Sequence, residues 1–150
     1  MPHTPFLTRT RLLPFLGAAL VACTPPGTQM MPSPSTASTL LEGTAWRLED
    51  LGGAGVLDRI EATIEFLAGG KVAGKGSCNR FFGTATVNGA ALTLSQTGST
   101  RMACAPAVND QETKYLKALE QAQRFAVLGS TLLITCSGSD KPLRFVRAGQ

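Results

Sequence analysis

Alternating apolar and polar positions run through several short segments of this chain. In TAWRLEDL, which covers residues 44–51, Trp46 and Leu48 fall on one face while charged side chains occupy the other. A period of two indicates a β-strand with one buried face. The segment EATIEFL repeats the alternation, with an apolar face made of Ala62, Ile64 and Phe66. Both segments are therefore predicted strands.

Turn signals separate further predicted strands. Asn88-Gly89 lies between TATV and ALTL, and Asn-Gly is the strongest short-range signal for a β-hairpin. Gly129-Ser130 separates FAVL from TLLITC in the same way. The turn at residues 68–70 leads into KVAGKG, and a last strand, PLRFV, follows the polar turn SGSDK. The chain is therefore built mainly of short strands joined by tight turns.

One segment, NDQETKYLKALEQAQRF, has the spacing of an amphipathic helix. The pattern predicts a helix over 109–124, capped by Asn109 or Asp110. Its apolar stripe consists of Tyr115, Leu116, Leu119 and Ala122. The predicted order of elements is a series of strands, then one helix, then further strands. This order predicts a mostly β fold over residues 41–147. The expected architecture is a small antiparallel, barrel-like sheet closed by the helix.

The beginning of the chain has the pattern of an export signal. Arg9 and Arg11 are followed by the charge-free run 12–22, which is shorter than the about 20 residues that cross a bilayer. The run ends in LVAC, which is similar to the lipobox of bacterial lipoproteins, where the cysteine is acylated. We expect residues 1–22 to be a lipoprotein signal peptide and Cys23 to be lipidated. The alternative is an ordinary signal peptide followed by a chance cysteine.

Residues 23–40 are rich in Pro, Ser and Thr and carry no charge. This composition is typical of an extended tether between an anchor and a domain. A lipid anchor predicts a protein of the cell envelope that is attached to a membrane. Thr24, rather than an acidic residue, follows the cysteine, which favours the periplasmic face of the outer membrane.

Composition and charge narrow the possible functions. Apolar residues make up 43% of the chain and charged residues 16%, which is typical of a globular protein. The formal charge of +4 falls by two when the leader is removed, and the remaining basic residues are scattered. Nucleic acid is therefore not an expected partner.

The inventory of reactive residues is small. The one histidine, His3, lies in the predicted leader, so the mature chain has no histidine for nucleophile activation or for metal binding. The acidic residues show no pairing that suggests acid–base work. We therefore expect no enzymatic activity, no catalytic residue, no cofactor and no metal site.

Three cysteines follow the lipobox, without the C-x-x-C spacing of redox or zinc motifs. In an oxidising compartment a disulfide is more common than a catalytic thiol. Cys78 and Cys104 lie in Gly/Ser/Thr-rich stretches at strand ends, whereas Cys136 shares a strand face with Leu132 and Ile134. We therefore predict a Cys78–Cys104 disulfide and a buried free thiol at Cys136. Three free thiols, or a Cys78–Cys136 bond, are the alternatives.

Several motifs together resemble a known family. They are GSCNRFFG (76–83), TRMAC (100–104), Trp46-Arg47-Leu48 and the helix that contains Glu112 and Leu119. They resemble the META domain of heat-inducible bacterial lipoproteins of the HslJ type, over about residues 41–146. The resemblance implies a small antiparallel barrel with one helix, and a role in heat, envelope or antibiotic stress without an agreed biochemical activity. Cys136 is not a position that we recognise in the family.

GSCNRFFG has two interpretations. In the structural one, Gly76 and Gly83 permit a sharp turn, Asn79 bonds to backbone groups, and Cys78 links the corner covalently. In the functional one, polar side chains converge around the disulfide, and the arginines offer planar donors to a carboxylate or phosphate. The residues of this possible binding patch are Asn79, Arg80, Thr100 and Arg101.

These observations favour a non-enzymatic, lipid-anchored envelope protein that supports stress tolerance through binding. The partner is an envelope protein or a small ligand. The first alternative is a barrel that binds a small molecule in its interior, for which an apolar cavity near 300 Å³ would be expected. A small hydrolase-type enzyme ranks third because the mature chain has no histidine.

Overall fold

The computed structural model describes residues 34–149. The predicted signal peptide, the lipidation site Cys23 and the first part of the predicted tether lie outside these residues. The described helices are α1 (Pro34–Leu41) and α2 (Pro106–Glu120). The described strands are β1 (Thr44–Leu51), β2 (Ala54–Gly55), β3 (Thr63–Leu67), β4 (Lys71–Lys75), β5 (Arg80–Asn88), β6 (Ala91–Ser99), β7 (Ala122–Leu128), β8 (Thr131–Cys136) and β9 (Leu143–Arg147).

Eight of the described strands close into an antiparallel barrel. Neighbours pair in the order β1-β3-β4-β5-β6-β7-β8-β9, and β9 pairs back onto β1, with Trp46 opposite Arg147. The short strand β2 folds back on the end of β1, where Asp50 lies opposite Gly55. The predicted fold class, mostly β with an antiparallel barrel and one main helix, is confirmed.

The inward faces of the strands are those that the alternation predicted. Fully buried side chains from strands on all sides meet at the centre, and they include Trp46, Leu48, Ile64, Leu92, Leu132, Ile134 and Phe145. Arg147 lies opposite Trp46 on the neighbouring strand, with its guanidinium carbon 4.6 Å from the centroid of the Trp46 ring. Large side chains therefore fill the centre of the barrel, where the alternative interpretation placed a ligand.

Helix α2 covers one end of the barrel, which we call the α2 end. It adds Tyr115 and Leu119 to the core. The Tyr115 ring lies edge-on to Phe81, with 6.1 Å between centroids, and its hydroxyl donates to the Thr63 carbonyl at 3.2 Å. Burial raises the pKa of Tyr115 well above its usual value. The hydroxyl therefore acts as an un-ionised donor that fixes the helix against β3.

The register of β6 and β7 explains where α2 lies. These strands pair only at Ala91 and Arg124 in the described register. Further along β6, the Gln96 side chain donates through Nε2 to the Leu116 carbonyl of α2 at 3.1 Å. The helix thus lies along the part of β6 that β7 leaves without a strand partner.

The observed bounds of α2 differ from the predicted ones. The helix begins at Pro106 and ends at Glu120, and no side chain caps its first turn. Proline supplies the helical φ at the first position and has no N–H that needs a partner. Asn109 instead donates to the Cys104 carbonyl at 3.1 Å. The prediction that Asn109 or Asp110 caps the helix is therefore wrong.

The end of the predicted tether is helical where the structure describes it. Helix α1 covers Pro34–Leu41 and precedes β1, at the barrel end opposite α2, which we call the α1 end. Leu41 is buried within the core cluster. The Thr44 hydroxyl donates to the Leu41 carbonyl and accepts a bond from Trp46 Nε1 at 2.7 Å. Neither α1 nor α2 has the length and apolar composition that a membrane crossing requires.

A disulfide-linked corner as the candidate functional site

Two loops meet at the α2 end of the barrel. Residues 76–79 connect β4 to β5, and residues 100–105 connect β6 to α2. Cys78 and Cys104 form a disulfide between the loops, 26 residues apart in sequence, as predicted. Together with Glu112 of α2, these two loops form what we call the corner.

The centre of the corner is the buried carboxylate of Glu112. Its Oε2 accepts hydrogen bonds from the backbone N–H groups of Cys78 at 2.9 Å and Asn79 at 2.6 Å. Its Oε1 accepts from Asn79 Nδ2 at 2.7 Å. Three donors compensate for the loss of water around a buried carboxylate. Glu112 therefore attaches the helix to the β4–β5 loop.

Gly76 admits the carboxylate because it has no side chain. A Cβ at this position would lie 2.8 Å from Glu112 Oε2 and 2.9 Å from its Cγ. Contacts this short require either the loop or the helix to move. The first glycine of GSCNRFFG is therefore explained by the close approach of Glu112.

Asn79 links all three parts of the corner. While its Nδ2 binds Glu112, its Oδ1 accepts from the Met102 backbone N–H at 2.7 Å and from the Thr100 hydroxyl at 3.1 Å. The Thr100 hydroxyl also accepts from the Arg80 N–H at 3.1 Å. Asn79 thus bonds to backbone groups of the facing loop, in agreement with the structural interpretation.

A second pair of polar side chains extends the network. Gln111 Nε2 donates to the Ser77 hydroxyl at 2.9 Å, and its Oε1 accepts from the Leu57 N–H at 2.6 Å. Ser77 has a φ of 133°, in a region that side-chain-bearing residues rarely adopt. The bond to Gln111 helps to hold this conformation and connects the corner to the segment after β2.

The four residues of the predicted binding patch divide into two groups. Asn79 and Thr100 use their side chains in the internal network described above. Arg80 and Arg101 are exposed. The structure adds two exposed apolar side chains that sequence reasoning missed, Phe82 and Met102, with 53% and 56% of their surface accessible.

Some of the missed residues had a signal in the sequence. Phe81 and Phe82 are consecutive in a strand, so one of them must face outward. Glu112 lies three residues before Tyr115 and seven before Leu119, which is the spacing of one helix face. An acidic residue on an apolar stripe indicates a buried polar contact. The identity of its donors, however, depends on the path of a distant loop.

Gly83 does not form the predicted turn. It lies within β5, where a Cβ would come within 2.1 Å of the Ser95 carbonyl oxygen on β6. The pairing of β5 with β6 shifts register between Phe82 and Gly83. This glycine is therefore required by the close approach of two strands, and the prediction of a turn there is wrong.

The arrangement leaves little for the corner to do chemically. Among the described residues, every buried side-chain N or O atom has a hydrogen-bond partner. No group of three or more potential metal ligands occurs in the described part of the chain. Glu112 is bound by three donors and almost fully buried. The geometry is that of a structural link between two loops and a helix.

Cys136 lies at the end of β8, also at the α2 end, and is a buried free thiol as predicted. Burial raises the pKa of this thiol to about 11. The thiol is therefore un-ionised at neutral pH and behaves as a small apolar group.

These features define a class of protein: a small closed antiparallel β-barrel, covered at one end by a helix that a disulfide-linked corner holds in place. The chain belongs to the META domain family, whose pattern matches residues 39–150. No curated protein matches the sequence.

Solved structures share the fold. A protein from Burkholderia xenovorans, studied by NMR, is 24% identical, with a TM-score of 0.62 over 84% of this chain and 97% of that chain. A second NMR structure is also 24% identical, with a TM-score of 0.57 over 73% and 92% of the two chains. A crystal structure of a DUF4847 family protein from Bacteroides vulgatus is 15% identical, with a TM-score of 0.56 over 75% and 98%. At these identities the similarity concerns the fold alone.

Proposed function

We propose that this protein is a lipid-anchored envelope protein that binds another envelope protein and catalyses no reaction. The observation that carries the proposal is that the buried polar side chains of the corner form their hydrogen bonds within the domain. Glu112, Asn79 and Gln111 are all bound within the domain. Beside the corner, the surface instead exposes an outer patch, defined as Arg80, Phe82, Arg101 and Met102.

The members of the outer patch are neighbours. Arg80 pairs with Thr100 through the bond from the Thr100 N–H to the Arg80 carbonyl, at 2.9 Å, and Arg101 and Met102 follow directly. Phe82 lies opposite Gly98, and a Cβ on that glycine would be 2.6 Å from the ring. Gly98 thus lets the ring lie flat against β6. Arginine, methionine and aromatic side chains are the residues that protein interfaces favour.

The charge around the outer patch favours a protein as the partner. The ion pairs among the described residues do not include Arg80 or Arg101, so no described carboxylate neutralises either guanidinium. A surface groove of about 440 Å³ adjoins Arg80 and Phe82 and also carries Glu61, Glu65 and Lys75. Charges of both signs beside an exposed aromatic ring suit a protein surface better than a simple anion.

The position of the outer patch agrees with an N-terminal anchor. The described chain enters the barrel through α1, at the α1 end, while the outer patch lies at the α2 end. A domain held through residues before α1 would present the outer patch away from its attachment. Together with the stress role associated with the META family, this supports a function in envelope stress tolerance.

The lipid anchor leads to the first prediction. The wild-type protein should sediment with membranes and carry an acylated N-terminus at Cys23, because LVAC follows a charged and then a charge-free segment. Cys23→Ala should lose the lipid and leave its normal location. Cys136→Ala, a cysteine change in the domain, serves as the control and should keep the anchor. A soluble wild type with no lipid, by fractionation and mass spectrometry, would contradict the anchor.

The outer patch leads to the second prediction. A photo-crosslinking residue at position 82 should capture a protein partner in heat-stressed cells, because Phe82 is an exposed aromatic member of the patch. The same residue at position 128 is a matched control, since Leu128 is 62% exposed at the α1 end. The Arg80→Glu and Arg101→Glu changes together should reduce capture at least tenfold. Equal capture from positions 82 and 128, or capture that the two arginine substitutions do not change, would show that the outer patch is not the binding surface.

A further inference from the structure

We propose that a groove between α2 and the β1–β2 hairpin binds a small amphiphilic anion, with an alkyl chain inside and an anionic head group at Lys141. This second binding site lies apart from the outer patch and does not depend on it. It also replaces the barrel interior as the place where a small ligand binds, because side chains fill the interior.

The body of the groove is apolar. A cavity of about 220 Å³ lies between the end of β1, helix α2 and the loop from β8 to β9. Leu51, Ala54, Ala118 and Leu143 form its walls, together with the thiol of Cys136. A neighbouring cavity of about 190 Å³ shares Leu51 and Ala54 and continues along α2. Because the two cavities share these residues, they adjoin each other along α2, and together we call them the groove.

Cys136 contributes to the apolar character. With its pKa raised to about 11 by burial, the thiol carries no charge at neutral pH. Its sulfur is then a small polarisable wall atom rather than a nucleophile. The groove therefore holds a ligand without forming a covalent bond.

Lys141 gives the mouth of the groove a positive charge, and Lys114 lies beside it. Lys141 runs across the β1–β2 turn, since a Cβ on Gly53 would lie 2.6 Å from its Cδ and 3.2 Å from its Nζ. Gly53 has a φ of 93° and leaves the space that this side chain occupies. Lys114, on α2, lines both cavities and forms an ion pair with Asp110 at 2.7 Å.

The charges at the mouth are not balanced by the lining of the main cavity. No carboxylate lines the 220 Å³ cavity among the described residues. Asp110, which lines the neighbouring cavity, is paired with Lys114, and none of the ion pairs among the described residues includes Lys141. A ligand with a negative head therefore gains an interaction with Lys141 that a neutral or cationic one does not.

The size of the groove limits the chain length. Ligand sites for drug-sized molecules measure about 300–1,000 Å³, so the main cavity is small. Each methylene that enters an apolar site raises affinity by about fourfold. Affinity should therefore rise with chain length and level off when the chain exceeds the groove. A medium-length alkyl chain fits better than the long chain of a membrane lipid.

The test uses octanoate as the probe and the chain from residue 23 onward, with Cys23→Ser, so that neither an acyl anchor nor detergent competes. This protein retains every described residue. Titration followed by ¹⁵N NMR should give saturable shifts confined to the β1–β2 turn, helix α2 and the β8–β9 loop. Hexanoate should bind about fifteenfold more weakly, because it lacks two methylenes. Octylammonium should bind at least tenfold more weakly than octanoate because of Lys141.

Substitutions distinguish binding of octanoate in the groove from non-specific binding to the protein surface. Lys141→Glu should weaken octanoate binding at least tenfold, whereas Lys71→Glu, an exposed lysine at the α1 end, should leave it unchanged. Ala118→Trp should fill the cavity and abolish binding. The Ala118→Trp change can disturb packing. The comparison of Lys141→Glu with Lys71→Glu is therefore the decisive test, because both lysines are exposed. Shifts that are scattered or unsaturable, or equal effects of the two lysine changes, would overturn the proposal.

The head group is identified by a third ligand. Octyl sulfate that binds as well as octanoate supports a site for any anionic amphiphile, and a clear preference for octanoate supports a carboxylate site. Crosslinking from position 82 is independent of these results. Failure of the groove and failure of the outer patch are therefore distinguishable.

Discussion

Replacement of Glu112 by alanine is expected to lower the free energy of unfolding by about 3–5 kcal/mol. The change leaves three buried donors without their acceptor: the N–H groups of Cys78 and Asn79 and the Asn79 side-chain amide. Each unsatisfied buried donor costs about 1–3 kcal/mol. Urea unfolding followed by the fluorescence of Trp46, the one tryptophan, measures the effect.

Two further variants sharpen the Glu112 experiment. Glu120→Ala is the matched control, because Glu120 is an exposed glutamate of the same helix, and it should change stability by less than about 0.5 kcal/mol. Glu112→Gln keeps the size of the side chain but replaces one acceptor oxygen by a donor, and it should cost about 2 kcal/mol. Equal stability of the Glu112→Ala and Glu120→Ala proteins would show that the carboxylate does not hold the corner together.

Replacement of both Cys78 and Cys104 by serine is expected to lower stability by about 2–4 kcal/mol. The disulfide joins cysteines that are 26 positions apart, and in the chain-entropy model its main effect is to restrict the unfolded chain. The exposed loop between β6 and α2 has little apolar area of its own to hold it against the barrel. Urea unfolding in the absence of reductant gives the difference.

The cysteine experiment has an internal control and a chemical check. Cys136→Ser should cost less, about 1–2 kcal/mol, because it places a hydroxyl in an apolar site. Alkylation of denatured, unreduced protein should label Cys136 and neither of the bonded cysteines. Three labelled thiols, or a label on Cys78, would contradict the disulfide.

The strands were predictable because each has one buried face. Trp46 with Leu48, and Ile64 with Phe66, alternate with exposed side chains, and a two-residue period has one physical explanation in a barrel wall. The hairpin at Asn88-Gly89 followed from a turn that requires a positive φ. Such local signals sufficed for the fold class.

The helix ends and the corner were harder to predict for physical reasons. Ala122 continues the apolar period of α2 but begins β7, because an apolar residue fits either element. Glu112 receives its bonds from residues that are more than 30 positions away, and no local pattern specifies that approach. Gly83 looked like a turn glycine because the carbonyl of Ser95, which requires it, lies on another strand.

Closure of the barrel by β1 and β9 has a consequence for folding. Trp46 lies opposite Arg147, so this seam joins the two ends of the described chain. Contacts between distant segments form late, since the entropic cost of closing a loop rises with its length. Until the seam forms, β1 and β9 are both open edges, which can pair with edges of other chains. A newly synthesised molecule is therefore most exposed to aggregation before its first and last strands meet, and heat would lengthen that interval by opening the seam.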